Sequence, residues 1–248
     1  MSLTRKVQCT VDSILDHGEH VYTVTLNPAR PVPAFRPGQF LHLTVDEYDP
    51  AGYWPESRVF SIASSPRQRD RIQICYSVVG RYTKKMEHVL RVGGTVWIKL
   101  PYGEFVISDA RDAVLIAGGT GISAFAAFLE AITPEYPRSV TLLYGARTPE
   151  LLLLRGVILD RAALVPSLRV VLFAETDIVR SVEWAIDHQT QALSFVGRIN
   201  LDSVWPHLSD HSSQVFYLSG PPNMVNALNV DLNARGVEED RVRTDAWE

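Results

Sequence analysis

The spacing of apolar residues changes near residue 108, and this change constrains the fold more than any other feature. Up to residue 105 the chain reads as six short strand-like segments separated by Gly, Pro, Asn and Asp: "KVQCTVDSIL", "HVYTVTL", "GQFLHLTV", "RVFSIA", "RIQICYSVV" and "TVWIKL". Short strands with frequent turns are typical of an antiparallel barrel. One segment, "TKKMEHVL", has helical spacing instead.

Beyond residue 108, nearly continuous apolar strands alternate with helix-like segments. The strands read "AVLIAGG", "SVTLLYGA", "LRVVLFA", "QVFYLSG" and "RVRTDAW", and the helices read "SAFAAFLEAI", "ELLLLRGVILDRAA" and "PNMVNALNVDLNARG", the last with Gly236 as its expected cap. This alternation predicts a doubly wound parallel sheet with helices on both faces. We therefore expect a barrel domain over residues 1–108 and an α/β domain over 109–248, with the boundary near Ser108–Ala113.

Composition excludes several classes of protein. Of the 248 residues 46% are apolar, and the formal net charge of −4 gives no sign of nucleic-acid binding. The two cysteines, Cys9 and Cys75, are too few for a disulfide framework or a four-thiolate cluster, and we expect no metal site. No segment approaches the ~20 apolar residues of a membrane span, and the N-terminus lacks a signal-peptide core. We expect a soluble cytoplasmic protein.

Two glycine turns follow apolar strands in the second half. "LIAGGTGISA" has Gly118, Gly119, Thr120 and Gly121 between a strand and a helix, where backbone N–H groups and the helix dipole favour a phosphate. The acidic residue that the dinucleotide pattern requires ~20 positions later is absent. "YLSGPPNM" is a second such crossing, with Pro222 where a helix start tolerates proline. Both turns lie at carboxyl ends of strands and predict the walls of one crevice, with ordinary helix-start chemistry as the alternative.

A third candidate phosphate turn lies in the barrel half. "VVGRYTKK" has Gly80 and Thr83 just before the helical segment. Thr83 is also a candidate N-cap, although Met86 rules out a capping box that starts at Thr83. Arg81, Lys84 and Lys85 add positive charge that suits a bound phosphate.

Together these motifs resemble the ferredoxin–NADP reductase family over nearly the whole chain. "RPGQF" resembles its Pro-Gly-Gln-Phe strand start, "RVFS" its Arg-x-Tyr-Ser flavin motif, "GRYT" its phosphate turn and "PYGEF" its barrel end. "AGGTGIS" and "SGPPNM" resemble its two nicotinamide-dinucleotide segments, and all six motifs follow the family order. The resemblance implies a stand-alone flavin-dependent NAD(P)H oxidoreductase without a fused ferredoxin domain.

The resemblance also implies roles for individual residues. Arg58 would bind the flavin phosphate, Phe60 would pack against the flavin ring, and Ser61 would lie near the flavin N5 atom. Each has a structural alternative: Arg58 paired with Glu56, Phe60 in the core, and Ser61 as a half-buried strand serine. The cofactor-binding residues implied by the matching motifs are Arg58, Val59, Phe60, Ser61, Gly80, Thr83, Lys84, Gly118, Gly119, Thr120, Gly121, Gly220, Pro221 and Trp247.

The chain departs from the family pattern at four points. Phe60 replaces the usual Tyr, Ser219 replaces a cysteine that many members carry beside the nicotinamide, and Ala124 replaces a frequent proline. The chain ends "TDAWE", so Trp247 is the candidate for the aromatic residue that covers the flavin, with Asp245 as the nearby carboxylate and a frayed terminus as the alternative. The implied catalytic residues are Ser61, Ser219, Trp247 and Asp245.

Cofactor and partner follow from the same resemblance. FAD is the expected flavin and FMN the alternative. NADH is favoured over NADPH because Glu175 and Asp177 follow the third α/β strand, although Arg180 opposes this argument. Electrons would pass to a separate ferredoxin or flavodoxin. A basic group would dock that partner unless its charges are merely solvated: Arg67, Arg69, Arg71, Arg81, Lys84 and Lys85.

Two other functions remain open on the sequence. One is an NAD(P)H:flavin reductase that uses flavin as a diffusible substrate. The other is a flavin-bearing electron-transfer subunit of a larger complex. Tight copurification of yellow flavin would separate the main interpretation from the first of these.

Overall fold

A computed structural model describes residues 3–108, 110–176, 192–208 and 213–245. The chain divides into two compact units. The first comprises the residues up to Val106 together with Ala126–Ala131, and the second comprises Ile107–Phe125 and the residues from Ile132 onward. The border at Val106 lies close to the boundary expected from the sequence, whereas no sequence signal had separated Ala126–Ala131 from its neighbours.

The first unit is an antiparallel six-stranded sheet. Its strands are β1 (Arg5–Asp16), β2 (Val21–Pro28), β3 (Phe40–Thr44), β4 (Arg58–Ser61), β5 (Ile72–Ser77) and β6 (Thr95–Tyr102), and helix α1 (Arg81–Val89) follows β5. The strand order is β4-β3-β6-β1-β2-β5. The two edges approach each other just after β4, where the Ala63 N–H donates to the Gln73 carbonyl at 2.8 Å. The predicted barrel and its six strands are confirmed.

The core of this barrel follows the period of two. On β1, Val7, Cys9 and Val11 are each 1% exposed, while the residues between them face outward. Helix α1 contributes Tyr82 and Met86 to the same core. The strand alternation therefore sets which β4 side chains face inward.

The second unit is a parallel sheet with helical connections. Its elements are β7 (Ala113–Gly118), α2 (Ser123–Ala131), β8 (Val140–Ala146), α3 (Arg155–Leu164), β9 (Leu168–Ala174), β10 (Ala192–Val196), α4 (Leu201–Val204), β11 (Val215–Ser219), α5 (Pro222–Ala234) and β12 (Val242–Thr244). All of its strand pairs are parallel. The predicted parallel sheet is confirmed, although β10 and α4 had not been predicted.

The strand order of this sheet is β10-β9-β8-β7-β11-β12. From β7 the chain proceeds outward through β8, β9 and β10, and it then returns to add β11 on the other side of β7. The order thus reverses between β7 and β11. In open α/β sheets, ligands bind at the carboxyl ends of the strands beside such a reversal. Both predicted glycine turns lie there.

One predicted helix is wrong in its first part. The sequence indicated a helix through "ELLLLRGVILDRAA", but α3 begins only at Arg155, after a short 3-10 turn at Pro149–Leu151 and a left-handed residue at Leu154 (φ 56°). The buried Tyr144 hydroxyl explains the break, because it donates to the Leu151 carbonyl at 3.2 Å and accepts from the Leu153 N–H at 2.8 Å. A polar side chain thus satisfies the irregular backbone, and Leu151 and Leu153 stay buried.

The end of α5 agrees with the sequence. The Gly236 N–H donates to the Asn233 carbonyl at 3.0 Å and the Val237 N–H donates to the Leu232 carbonyl at 3.0 Å, which confirms Gly236 as part of the helix cap. Within the described ranges, no helix combines the length and the apolar character that crossing a membrane requires.

Candidate functional site

Strand β4 presents its side chains to two faces. Its pairing with β3 sets Phe60 opposite Leu41 and Ser61 opposite Phe40. Phe60 is 9% exposed and belongs to the barrel core, with its ring centroid 6.1 Å from that of Tyr76. Phe60 therefore occupies the core position given above as its structural alternative, and little of its surface remains to contact a flavin. Its neighbour Val59 is half-buried.

Ser61 stands out on the opposite face. The residue is 5% exposed, yet its hydroxyl makes no hydrogen bond with any residue in the described part of the chain. The Ser61 oxygen is not among the fully enclosed, unpartnered side-chain atoms of the described residues, so it keeps contact with solvent. The hydroxyl is therefore open to a hydrogen-bonding group from outside the protein, which fits the ligand-facing role implied for it.

Arg58 lies at the start of β4, where its guanidinium contacts the Tyr82 ring and the Ser57 carbonyl. Its guanidinium carbon is 5.1 Å from the centroid of the Tyr82 ring, and its Nη1 donates to the Ser57 carbonyl at 2.9 Å. Its Nη2 is 3.5 Å from Glu56 Oε1. The structural alternative, pairing with Glu56, is thus present. Because the side chain is 49% exposed, the guanidinium also remains accessible to an anion.

The start of α1 differs in detail from the sequence prediction. The N-cap is Gly80, whereas Thr83 is the third residue of the helix and not its cap. The Thr83 hydroxyl accepts from the N–H groups of Val79 (3.0 Å) and Gly80 (3.1 Å) and donates to the Gly80 carbonyl. The Thr83 hydroxyl is therefore used in shaping the turn. A Cβ on Gly80 would meet no atom within 4 Å, so the turn is open.

The basic side chains near these motifs are only partly available. Arg67 donates to the Ala131 carbonyl at 3.2 Å and Arg69 to the Val32 carbonyl at 2.6 Å. Lys85 binds Asp46, and this hydrogen bond raises the pKa of the lysine. In the described part of the chain, Arg71 and Lys84 have neither a hydrogen bond nor an ion pair from their side chains. In the predicted docking group, some cations are therefore bonded within the protein, whereas others are free to contact a partner.

In the second unit the two glycine turns pack directly on each other. A Cβ on Gly121 would overlap the Ser219 carbonyl, and a Cβ on Gly118 would come within 2.5 Å of Met224 Sδ and 3.1 Å of Pro221 Cδ. These two glycines are required by packing between the β7 and β11 turns. The sequence predicted that these turns form the walls of one crevice. The structure places the turns against each other, so contact within the protein is one reason for both glycines.

Gly119 and Thr120 form the open part of the first turn. Gly119 has φ +53° and would meet no atom within 4 Å if it carried a Cβ. Thr120 is half-buried, and neither its hydroxyl nor that of Ser123 makes a hydrogen bond with a described residue. Ser123, 5% exposed at the start of α2, was not among the predicted site residues, although the quoted "AGGTGIS" segment contains it. Backbone and hydroxyl donors thus surround an open turn at a helix start, which fits a phosphate.

Two predicted catalytic residues bond to each other. The Ser219 hydroxyl donates to Asp245 Oδ2 at 2.9 Å, and the two residues are 1% and 8% exposed. The Asp245 N–H donates to the Leu218 carbonyl at 2.8 Å, which holds the carboxylate beside the end of β11. Gly220 and Pro221 follow Ser219, and Pro222 begins α5. Trp247 lies outside the described residues.

The residues expected to select the dinucleotide are partly described. Glu175 follows β9, and its Oε1 is 3.2 Å from Arg198 Nε. Sequence reasoning missed Arg198, because it lies 23 residues from Glu175 along the chain. Asp177 and Arg180 lie outside the described residues.

The comparisons with known proteins agree with this arrangement. Residues 115–229 match the model of the oxidoreductase NAD-binding domain family. The reductase component of propane 2-monooxygenase from Mycolicibacterium smegmatis is 25% identical over 247 residues, covering 97% of this chain and 67% of the relative. The NAD(P)H-flavin reductase of Aliivibrio fischeri is 32% identical over 151 residues, covering 57% and 61%.

A solved structure shares the whole fold. The ferredoxin reductase in carbazole 1,9a-dioxygenase aligns with a TM-score of 0.76 and 24% identity, over 99% of this chain and 70% of that one. The chain spans 56% to 67% of the length of the curated relatives it matches. The second unit thus contains an oxidoreductase NAD-binding domain, and the motifs of the first unit resemble those of the ferredoxin–NADP reductase family.

Proposed function

We propose that this protein is a flavin-dependent oxidoreductase that takes hydride from NAD(P)H onto bound FAD and passes the electrons to a separate acceptor such as a ferredoxin or flavodoxin. FMN is the alternative flavin, and NADH is the favoured nicotinamide because Glu175 follows β9. The proposal includes a cytoplasmic location, which is usual for proteins whose cysteines, here Cys9 and Cys75, are free thiols.

Strand β4 carries the proposal. Within four residues it combines an accessible guanidinium at Arg58 with a Ser61 hydroxyl that no described residue bonds and that keeps contact with solvent. An anion-binding group and an unused hydrogen-bonding group on one short strand suit a ligand that has a phosphate at one end and a polar ring at the other. A flavin nucleotide is such a ligand.

In the first unit the chain's task is binding and orientation. Arg58 and the open turn at Gly80 would hold the flavin phosphate, and the Ser61 hydroxyl would hydrogen-bond the polar edge of the ring system. When bound, the flavin supplies the capacity to accept a hydride and release electrons singly. The protein needs no acid–base triad for this chemistry, because orientation of the two cofactors provides most of what a hydride transfer requires.

In the second unit the chain would bind the dinucleotide. The open turn at Gly119 and Thr120 would hold the pyrophosphate against the start of α2, and the β11 turn would flank the nicotinamide end. Ser219 would be fixed by Asp245, since a hydroxyl that donates to a carboxylate has its oxygen lone pairs directed elsewhere. Ser219 thus presents an acceptor where many relatives present a thiol.

A flavin reductase that binds flavin only transiently is the second candidate function. The Glu56 carboxylate favours it, since this group already binds the cations that a flavin phosphate would use. One relative is an NAD(P)H-flavin reductase by name.

The decisive experiment identifies the flavin and the reductant together. Flavin extracted from the purified full chain is identified by chromatography, and the holoprotein is titrated anaerobically with NADH and with NADPH. We expect bleaching of bound FAD, with NADH effective at lower concentration. A colourless protein that reduces added flavin would favour the second candidate, and failure of both nucleotides to bleach any flavin would rule out both functions.

Transfer to the acceptor is tested by cytochrome c reduction with and without added ferredoxin or flavodoxin. We expect acceleration by an acidic carrier, weakened by salt. No acceleration by any carrier would remove the docking part of the proposal.

A further inference from the structure

Two arginines of the first unit converge on one carboxylate oxygen. Glu56 Oε1 accepts from Arg81 Nη2 at 2.6 Å and lies 3.5 Å from Arg58 Nη2. Arg58 begins β4 and Arg81 begins α1, so the carboxylate joins the two segments that carry the flavin-type motifs. A single anionic group thus occupies the space between the two guanidinium groups.

The position of Glu56 is fixed by its backbone. The Tyr82 hydroxyl donates to the Glu56 carbonyl at 3.1 Å, and Tyr82 is 2% exposed. The same Tyr82 ring supports the Arg58 guanidinium. One buried tyrosine thus contacts both Glu56 and Arg58 and holds the Glu56 backbone close to the arginine. The Glu56 side chain is 34% exposed, so its rotation is one way to free the two guanidinium groups.

We propose that Glu56 is an internal competitor for the flavin phosphate and that it sets how tightly the protein holds its flavin. This inference rests on the proposed function, because it requires that a phosphate-bearing flavin bind at Arg58. A phosphate and a carboxylate that share the same two guanidinium groups repel each other, so either the carboxylate rotates away or the complex retains the repulsion. Both outcomes lower the affinity for FAD and FMN. Riboflavin has no phosphate, so its affinity is independent of Glu56.

The opposite role for Glu56 makes the opposite prediction. If the carboxylate serves to hold Arg58 in the orientation that binds phosphate, its loss frees the guanidinium and weakens phosphate-bearing flavins. The sign of the change in affinity for FAD and FMN therefore separates competition from positioning.

The test is flavin binding by the full chain, measured by flavin fluorescence and by calorimetry after the resident flavin has been removed. The variants are Glu56→Gln and Glu56→Ala, which both remove the charge. The matched control is Glu104→Gln, which removes the same charge from another exposed arginine pair, Arg36–Glu104 at 3.6 Å. We expect both Glu56 variants to bind FAD and FMN about tenfold tighter than the wild type, a gain of about 1.4 kcal/mol. Riboflavin affinity and the Glu104→Gln variant should remain unchanged.

The inference and the proposed function fail in different ways. Unchanged or weaker FAD and FMN binding by the Glu56 variants overturns the inference and leaves the proposed function intact. An equal gain for riboflavin also overturns it, because the effect would then not involve the phosphate. Absence of flavin binding by the wild type and every variant overturns the proposed function, and the inference falls with it.

Discussion

The bond between Ser219 and Asp245 yields a prediction whose size follows from the structure. Ser219→Ala removes one oxygen and leaves the side chain otherwise unchanged, so the loss of packing is small. The lost interaction is a 2.9 Å hydrogen bond to a carboxylate between residues that are 1% and 8% exposed. Hydrogen bonds to charged groups contribute about 1.5–3 kcal/mol. Asp245 has a further interaction besides the bond from Ser219, so the lower half of that range applies.

We therefore expect Ser219→Ala to lower the free energy of unfolding by about 1.5–2 kcal/mol. The measurement is equilibrium urea unfolding of the full chain, followed by circular dichroism. The matched control is Ser139→Ala in the same unit, because the Ser139 side chain is exposed and makes no hydrogen bond with a described residue. Its effect should stay within about 0.5 kcal/mol.

A Ser219→Ala variant as stable as the Ser139→Ala control would refute this reasoning. It would mean that the carboxylate obtains an equivalent partner without Ser219, and Ser219 would then not be held in a fixed orientation beside the nicotinamide site.

Four further predictions concern flavin retention, turn packing, the reactivity of the buried thiols and the pH dependence of stability. Arg58→Ala should lose flavin on purification while Phe60→Tyr keeps it, measured as the flavin-to-protein absorbance ratio; equal retention by Arg58→Ala would contradict the role of Arg58. Gly121→Ala should destabilise the second unit, because its Cβ meets the Ser219 carbonyl, and a urea midpoint equal to that of the wild type would count against this packing. Burial raises the pKa of Cys9 to about 12 and that of Cys75 to about 11 from 9.0, so neither thiol should react with a disulfide reagent at pH 8 until urea unfolds the chain. Because both folded-state pKa values are raised, stability should be intact below pH 9.0 and should fall as pH rises through these values, which urea midpoints across this window would detect.

Local patterns accounted for the strands and the turns but not for every helix. Short strand-like segments between turn residues identified all six barrel strands, and the period of two is clearest on β1, where alternate residues are buried. The four leucines from Leu151 to Leu154 have helical preference and were therefore predicted as helix. That preference does not include the Tyr144 hydroxyl, whose hydrogen bonds stabilise a non-helical backbone at Leu151 and Leu153. Strand β10 was not predicted, because the sequence before it, "WAIDHQTQ", contains no Gly, Pro or Asn to mark a turn.

The sequence named candidate site residues one by one, but it did not predict their contacts. Sequence motifs identified Arg58, Ser61, Ser219 and Asp245, since each belongs to a recognisable short pattern. They left open whether Phe60 would contact a flavin or join the core, because strand pairing decides which face is inside. The pairing of Glu56 with Arg58 was one of the alternatives from the sequence, but its second partner, Arg81, was not foreseen.

The sequence alone determined the two kinds of architecture and the chemistry of the motifs, because both depend on residues that are close along the chain. Only the tertiary structure decided which motifs meet. The order β10-β9-β8-β7-β11-β12 brings Gly121 against Ser219, residues almost 100 positions apart, and the start of α1 brings Arg81 to Glu56. The physical reason is that strand order and helix docking arise from burial of apolar surface over the whole domain, a sum that no local pattern contains.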